Sequence, residues 1–166
     1  GLSAAQLRHA LAVLGSMVEL DEVKRQEFLS MDWAMLRELT RGGGTVGSHT
    51  RSHALLATES EALVREELEG SRRELEKQLD VPIRHLAYPD GSYNASTVRA
   101  VHEAGYLTAT TTCGHGSEGR CPLAIPRRLL WEHTCTDGLG RFSTAILSCQ
   151  VNGFFDVLER CPYEHA

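Results

Sequence analysis

Between residues 45 and 131 the sequence alternates strand-like runs with amphipathic helical ones, and this alternation restricts the fold more than any other feature. The runs at 45–48, 83–88, 106–112 and 124–131 are short, with small or β-branched residues, and read as strands. Between them fall a long helix opening at Thr58-Glu59-Ser60-Glu61 and a shorter one capped by Asn94. Thr58 with Glu61 is a capping-box pair, and Leu63, Leu68, Leu75 and Leu79 approximate one apolar stripe. Pro82 stops the long helix because it lacks the N–H and clashes with the preceding turn. The shorter helix carries Val98, Val101 and Ala104 and closes at Gly105. Strands separated by helices pair in parallel, since no hairpin can join them. The fold class is therefore α/β, built from parallel βαβ units. In such sheets ligands gather at the carboxyl ends of the strands, which is where His49 and Pro89-Asp90 fall.

The flanks read as helical. Residues 1–44 form an N-terminal helical segment without a strand. Its first helix starts at a Ser3-Ala4-Ala5-Gln6 cap and places Leu7, Ala10, Leu11 and Leu14 at helical spacing up to Gly15. A second is expected over 21–29, and a third follows Asp32, with Leu36 and Leu39 inward and Gly42-Gly43-Gly44 ending it. Residues 132–166 are expected to be helical over 141–160, with Asn152-Gly153 as a break. The length suits one domain over 1–166, with its α/β core at 45–131.

Acidic residues outnumber basic ones, 22 to 17, and the net charge of -5 argues against a nucleic-acid partner, which requires a basic stripe. No apolar run approaches the roughly 20 residues that span a bilayer. The cysteines, Cys113, Cys121, Cys135, Cys149 and Cys161, include no Cys-x-x-Cys pair, which excludes the common structural zinc motifs. Cys113 and Cys121 flank a Gly-containing loop, either as a disulfide in an oxidising compartment or as idle thiols.

His49 and His53 stand four apart, so one helical turn would point both imidazoles the same way. That is a metal-ligand spacing, and it is equally compatible with two histidines capping a turn. Two ligands do not hold a catalytic metal, which needs a third protein group and an open position for water. Tyr88-Pro89-Asp90-Gly91 is a turn signature, since Pro fixes φ and Gly accepts a positive one. Beyond turning the chain, it offers a backbone N–H to an oxyanion.

Together these stretches resemble a known family. Ser48-His49-Thr50-Arg51-Ser52-His53 is similar to the His-[Ser/Thr]-x-x-His motif of the polysaccharide deacetylases, the NodB-homology or carbohydrate esterase family 4 proteins. Leu86-Ala87-Tyr88-Pro89-Asp90-Gly91 resembles the Phe-Ala-Tyr-Pro-Tyr-Gly stretch of one branch of that family, and Glu103-Ala104-Gly105-Tyr106 and Pro126-Arg127 add to the likeness over roughly residues 30–130. The resemblance implies a partial distorted (β/α) barrel that removes acetyl groups from N-acetylated polysaccharides or oligosaccharides. It implies a divalent metal, zinc with cobalt or nickel as alternatives, held by His49 and His53. It places the Asp90 N–H at the oxyanion and Tyr88, Pro89 and Gly91 along the substrate groove. Cell-envelope or extracytoplasmic localisation goes with such a substrate.

The sequence also departs from the family's pattern. The family's first motif, a strand ending in Thr-Phe-Asp-Asp-Gly, supplies a metal ligand and the general base, and no Asp-Asp pair occurs here. Asp90 replaces the usual turn tyrosine and is one candidate replacement ligand. The late Leu-x-His motif has no clean counterpart; His133 and His115 are the nearest candidates for its catalytic acid. Three functions follow: a metal-dependent deacetylase needing further residues, an inactive domain that binds carbohydrate or protein, or a structural domain whose histidines hold a metal only for stability. A barrel without its first strand would also expose an edge that a second copy could cover, giving a homodimer.

Overall fold

The computed structural model describes residues 4–18, 29–112 and 121–155. Its centre is a parallel sheet of three short strands, β1 (His85–Ala87), β2 (Thr108–Thr111) and β3 (Ile125–Pro126), in that order. His85 lies opposite Thr108, and Thr110 opposite Ile125. The parallel arrangement matches the alternation in the sequence, but the strands are shorter than expected.

The expected strand at 45–48 is reduced to a single parallel bridge between Ser48 and Leu86. Ser48 N–H donates to His85 O at 2.8 Å, and Ala87 N–H donates back to Ser48 O at 2.8 Å. Gly44 and Gly47 leave this run little side-chain surface to pack. Gly47 instead permits close approach, since a Cβ there would lie 3.0 Å from the His85 carbonyl oxygen. The expected strand at 124–131 is likewise only Ile125–Pro126, and its last bond to β2 is the Arg127 N–H donating to Thr111 O at 2.8 Å.

The described residues form five α-helices: α1 (Ala4–Met17), α2 (Trp33–Arg41), α3 (Glu61–Leu79), α4 (Ala95–Glu103) and α5 (Thr144–Val151). α3 and α4 are the crossovers on either side of β1. The cap of α3 is Ser60, whose Oγ accepts from Leu63 N–H, and not Thr58. Thr58 instead closes the 3-10 turn Leu56–Thr58, its hydroxyl donating to Leu55 O at 2.9 Å. The buried face of α3 is Val64, Glu67, Leu68, Ser71 and Leu79, so Val64 takes the place expected for Leu63. Asp80 ends the helix in the left-handed region at φ 54°. Asn94 caps α4, as expected, and does so reciprocally with Thr97.

The core gathers Leu56, Val64, Leu68, Ile83, Leu86 and Val101 between α3, α4 and the sheet. Each such side chain contributes roughly 1.5–3 kcal/mol by leaving water. Arg72 ties the two crossovers together. Its Nε donates to Glu76 Oε1 at 3.0 Å and its Nη1 to Ala104 O at 2.6 Å, with the guanidinium over the Tyr106 ring.

The flanks depart from expectation. α1 runs through Gly15 to Met17, and its stripe stays exposed, with Leu7, Leu11 and Leu14 at 44%, 58% and 57%. The helix expected over 21–29 lies almost wholly outside the described residues. In α2, capped by Asp32, Leu36 reaches the core while Leu39 remains 41% exposed, because the short helix turns that side outward. α5 is capped by Ser143 and ends at Asn152, and residues 156–160 of the expected longer helix lie outside the described ones. So does Cys113, and with it the proposed disulfide.

Candidate metal site at the end of the sheet

His49 follows directly on the Ser48 bridge and leans on β1. Its Nδ1 lies 2.7 Å from Ala87 O. A carbonyl only accepts, so Nδ1 carries the proton and Nε2 is left as the lone-pair nitrogen. His53 returns to the same place, its ring centroid 4.8 Å from that of His49 and the planes 82° apart. The sequence expectation of proximity holds, but not the helical turn behind it. Thr50 and His53 are left-handed, at φ 65° and 58°, so the loop reverses through two αL residues. For β-branched Thr50 that conformation is strained, and its buried Oγ1 meets no hydrogen-bond partner among the described residues.

The loop is held from below by α3. Arg51 N–H and Ser52 N–H donate to Glu67 Oε2 at 2.7 and 2.8 Å, and the Ser52 hydroxyl donates to Glu67 Oε1 at 2.6 Å. One turn further along, Ser71 Oγ pairs with Ser48 Oγ, which also accepts from Thr50 N–H at 3.2 Å. Burial raises the Glu67 carboxyl, but the bonds from Ser52 and Arg51 and the Arg51 charge outweigh it and hold the group below the ordinary value. Neither Glu67 nor Ser71 was singled out from sequence, where Glu67 reads as one of many helix glutamates. A signal was present: Glu67 lies three residues from Val64 and four from Ser71, inside the buried stripe.

The second half of the site is the turn after β1. Asp90 adopts φ 52°, ψ 12°, and its side chain is exposed. Among the described residues its N–H meets no acceptor, while its carbonyl accepts from Thr112 Oγ1 at 3.0 Å. Of the four left-handed non-glycine residues among those described, three thus fall in this site: Thr50, His53 and Asp90. Strained backbone of this kind clusters at functional sites.

The other turn residues lie inward. Tyr88 is 0% exposed, stacks on Tyr93 with centroids 5.3 Å apart, and donates its hydroxyl to Leu123 O at 2.9 Å. Pro89 and Gly91 are also buried, so these three residues lie beneath the site, and of the turn only Asp90 faces solvent. His133 is exposed in the 3-10 turn Glu132–Cys135, which packs on α5, and His115 lies outside the described residues.

Two imidazoles converging edge to face, one with its tautomer set by a carbonyl, suit a borderline divalent metal. Among the described residues, no three His, Cys, Asp or Glu side chains group to complete the set. The donors present fit two positions of a metal site and leave the remaining protein position to a residue not among them.

No curated protein matches the chain. Solved structures do. The Streptococcus pyogenes deacetylase PplD, in complex with acetate, is 25% identical with a TM-score of 0.57, over 63% of this chain and 46% of that one. A polysaccharide deacetylase from Bacillus cereus is 29% identical with a TM-score of 0.52, over 59% of this chain and 32% of that one. The deacetylase domain of BpsB from Bordetella bronchiseptica, 21% identical with a TM-score of 0.54 over 58% of this chain and 48% of that one, shares the fold. The chain thus spans less than half the length of these structures. The family model described as polysaccharide deacetylase matches residues 2–109, which carry both the histidine loop and the turn after β1. The chain belongs to the polysaccharide deacetylase family.

Proposed function

We propose that this chain contributes the histidine half of a metal-dependent deacetylase site that hydrolyses the N-acetyl amide of a polysaccharide. The observation that carries this reading is the His49–His53 pair, set 4.8 Å apart by two left-handed residues. His49 and His53 would hold a divalent ion, zinc first and cobalt or nickel as alternatives. Once bound, it would polarise the acetyl carbonyl and lower the pKa of a bound water.

The chain's own groups have defined parts. His49 keeps its Nδ1 proton on Ala87 O and so presents Nε2. The Asp90 N–H, without an acceptor among the described residues, is available to the oxygen that gains charge as the amide carbonyl becomes tetrahedral. Because that donor is backbone, Asp90→Asn should retain it. The third ligand and the general base come from residues other than those described. An N-acetylated glycan as substrate, a cell-envelope or extracytoplasmic setting, and a homodimer over the exposed apolar helix faces belong to the same proposal.

A second reading is an inactive domain that binds carbohydrate or protein. It is supported by the lack of an Asp-Asp pair in the sequence and of a three-residue ligand group among the described residues. Acetate release from an N-acetylglucosamine oligomer by the full-length protein with added zinc or cobalt separates the two. The deacetylase reading expects release that His49→Ala or His53→Ala lowers by about a hundredfold or more, in line with losing a metal ligand. Metal binding without acetate release favours the inactive domain.

A further inference from the structure

We propose that Glu67, supported by Ser71, is a positioning residue that sets the geometry of the His49–His53 pair. This rests on the reading of those histidines as metal ligands. Glu67 has only 4% of its surface exposed, an unusual state for a carboxylate, and among the described residues its hydrogen-bond partners are all in the loop between the histidines. Oε2 takes both backbone N–H groups of Arg51 and Ser52, and Oε1 takes the Ser52 hydroxyl. Two adjacent N–H groups can point at one oxygen only if the chain curls around it. That curl lies between left-handed Thr50 and left-handed His53.

Ser71, four residues along the same helix face, holds the loop's other end through Ser48, immediately before His49. Its hydroxyl lies 3.5 Å from Tyr106 Oη, which donates to Leu68 O at 2.9 Å, so this end is anchored in the core. Two polar groups of one helix thus grip the loop on either side of Thr50, whose own hydroxyl has no partner among the described residues. The loop is held in a conformation it would not adopt alone, and the imidazoles meet because of it. A carboxylate buried to stabilise α3 itself would instead bond within the helix; the Arg51 guanidinium bonds Glu66, and it is the Arg51 backbone N–H that Glu67 holds.

The test uses the full-length protein and zinc alone, with two readouts: apparent zinc affinity by chelator competition, and ring-to-ring nuclear Overhauser contacts between His49 and His53. His53→Ala should abolish zinc binding, which tests the ligand reading independently. Glu67→Ala should weaken zinc by about tenfold or more, as for loss of an outer-shell partner, and erase the ring contacts. Glu67→Gln, which keeps an acceptor for both amides, should restore both. Should Glu67→Ala fail to fold, Glu67→Asp keeps the charge but falls short of the amides, and should show the same loss. Unchanged zinc affinity and ring contacts in Glu67→Ala or Glu67→Asp overturn the proposal. If the unmutated protein binds no zinc, the ligand reading fails, and the ring contacts alone decide: their loss in Glu67→Ala with rescue in Glu67→Gln supports positioning, and their persistence overturns it.

Discussion

The Nδ1–H of His49 donates to the carbonyl of Ala87 across 2.7 Å, joining a loop residue to the last residue of β1. The neutral imidazole is thereby confined to one tautomer. Long-range nitrogen–proton correlation spectra of the neutral ring should show Nδ1 protonated and Nε2 bare. A spectrum with the proton on Nε2 would refute this assignment, and with it the direction in which His49 offers its lone pair.

Glu67 makes stability pH-dependent in a definite direction. Its carboxyl sits below the ordinary value of 4.5 in the folded protein, because the loop's donors outweigh its burial. A group depressed on folding adds stability above its unfolded value and loses it as pH falls through the folded one. The difference in unfolding free energy between the protein and Glu67→Gln should therefore be largest near neutrality and shrink below about pH 4.5. A difference that stays flat from neutrality to pH 3 would contradict this account.

Gly91 is left-handed at φ 70°, and a Cβ there would overlap the Thr112 backbone and hydroxyl. Gly91→Ala combines a left-handed alanine with a steric clash, and should cost roughly 3 kcal/mol in urea unfolding. A loss below about 1 kcal/mol would mean that the turn relaxes freely.

Thr50 is the reverse case. A left-handed β-branched residue costs about 1–2 kcal/mol, and its buried hydroxyl has no partner among the described residues. Thr50→Gly removes both penalties against a smaller loss of chain entropy, so a stabilisation of about 1 kcal/mol is expected. Destabilisation would show that the threonine methyl packs usefully in the loop.

Tyr88→Phe removes the bond from the phenol to Leu123 O while keeping the stack on Tyr93. Stability should fall by about 1–2 kcal/mol with the acceptor left dry. Zinc affinity should not change, since the ring lies beneath the site. A changed affinity would place Tyr88 in contact with the ligands.

Local signals carried much of the fold. Asn94 before α4, Asp32 before α2, and Pro82 after α3 are read from a few neighbouring residues and recur in the structure. The parallel sheet was legible from the alternation of strand and helix runs. Strand lengths were not, because the pairing at Ser48 and the stop at Pro126 depend on distant partners. The histidine pair was legible as a spacing, whereas the left-handed turns that bring the rings together were not. Those turns are paid for by Glu67, and nothing within five residues of Glu67 names the loop it bonds. α1 shows the opposite failure. Its apolar stripe is plain in the sequence, yet no described residue buries it.

Ala87 spends its N–H on Ser48 and its carbonyl on His49. Sheet register and imidazole bearing are therefore one variable. Side chains along β1 can be exchanged while that variable stays put, because only backbone atoms define it. Inserting or deleting one residue between Ile83 and Ala87 would instead turn Leu86 out of the core and carry off the acceptor that His49 leans on. The segment should tolerate spelling changes far better than changes of length.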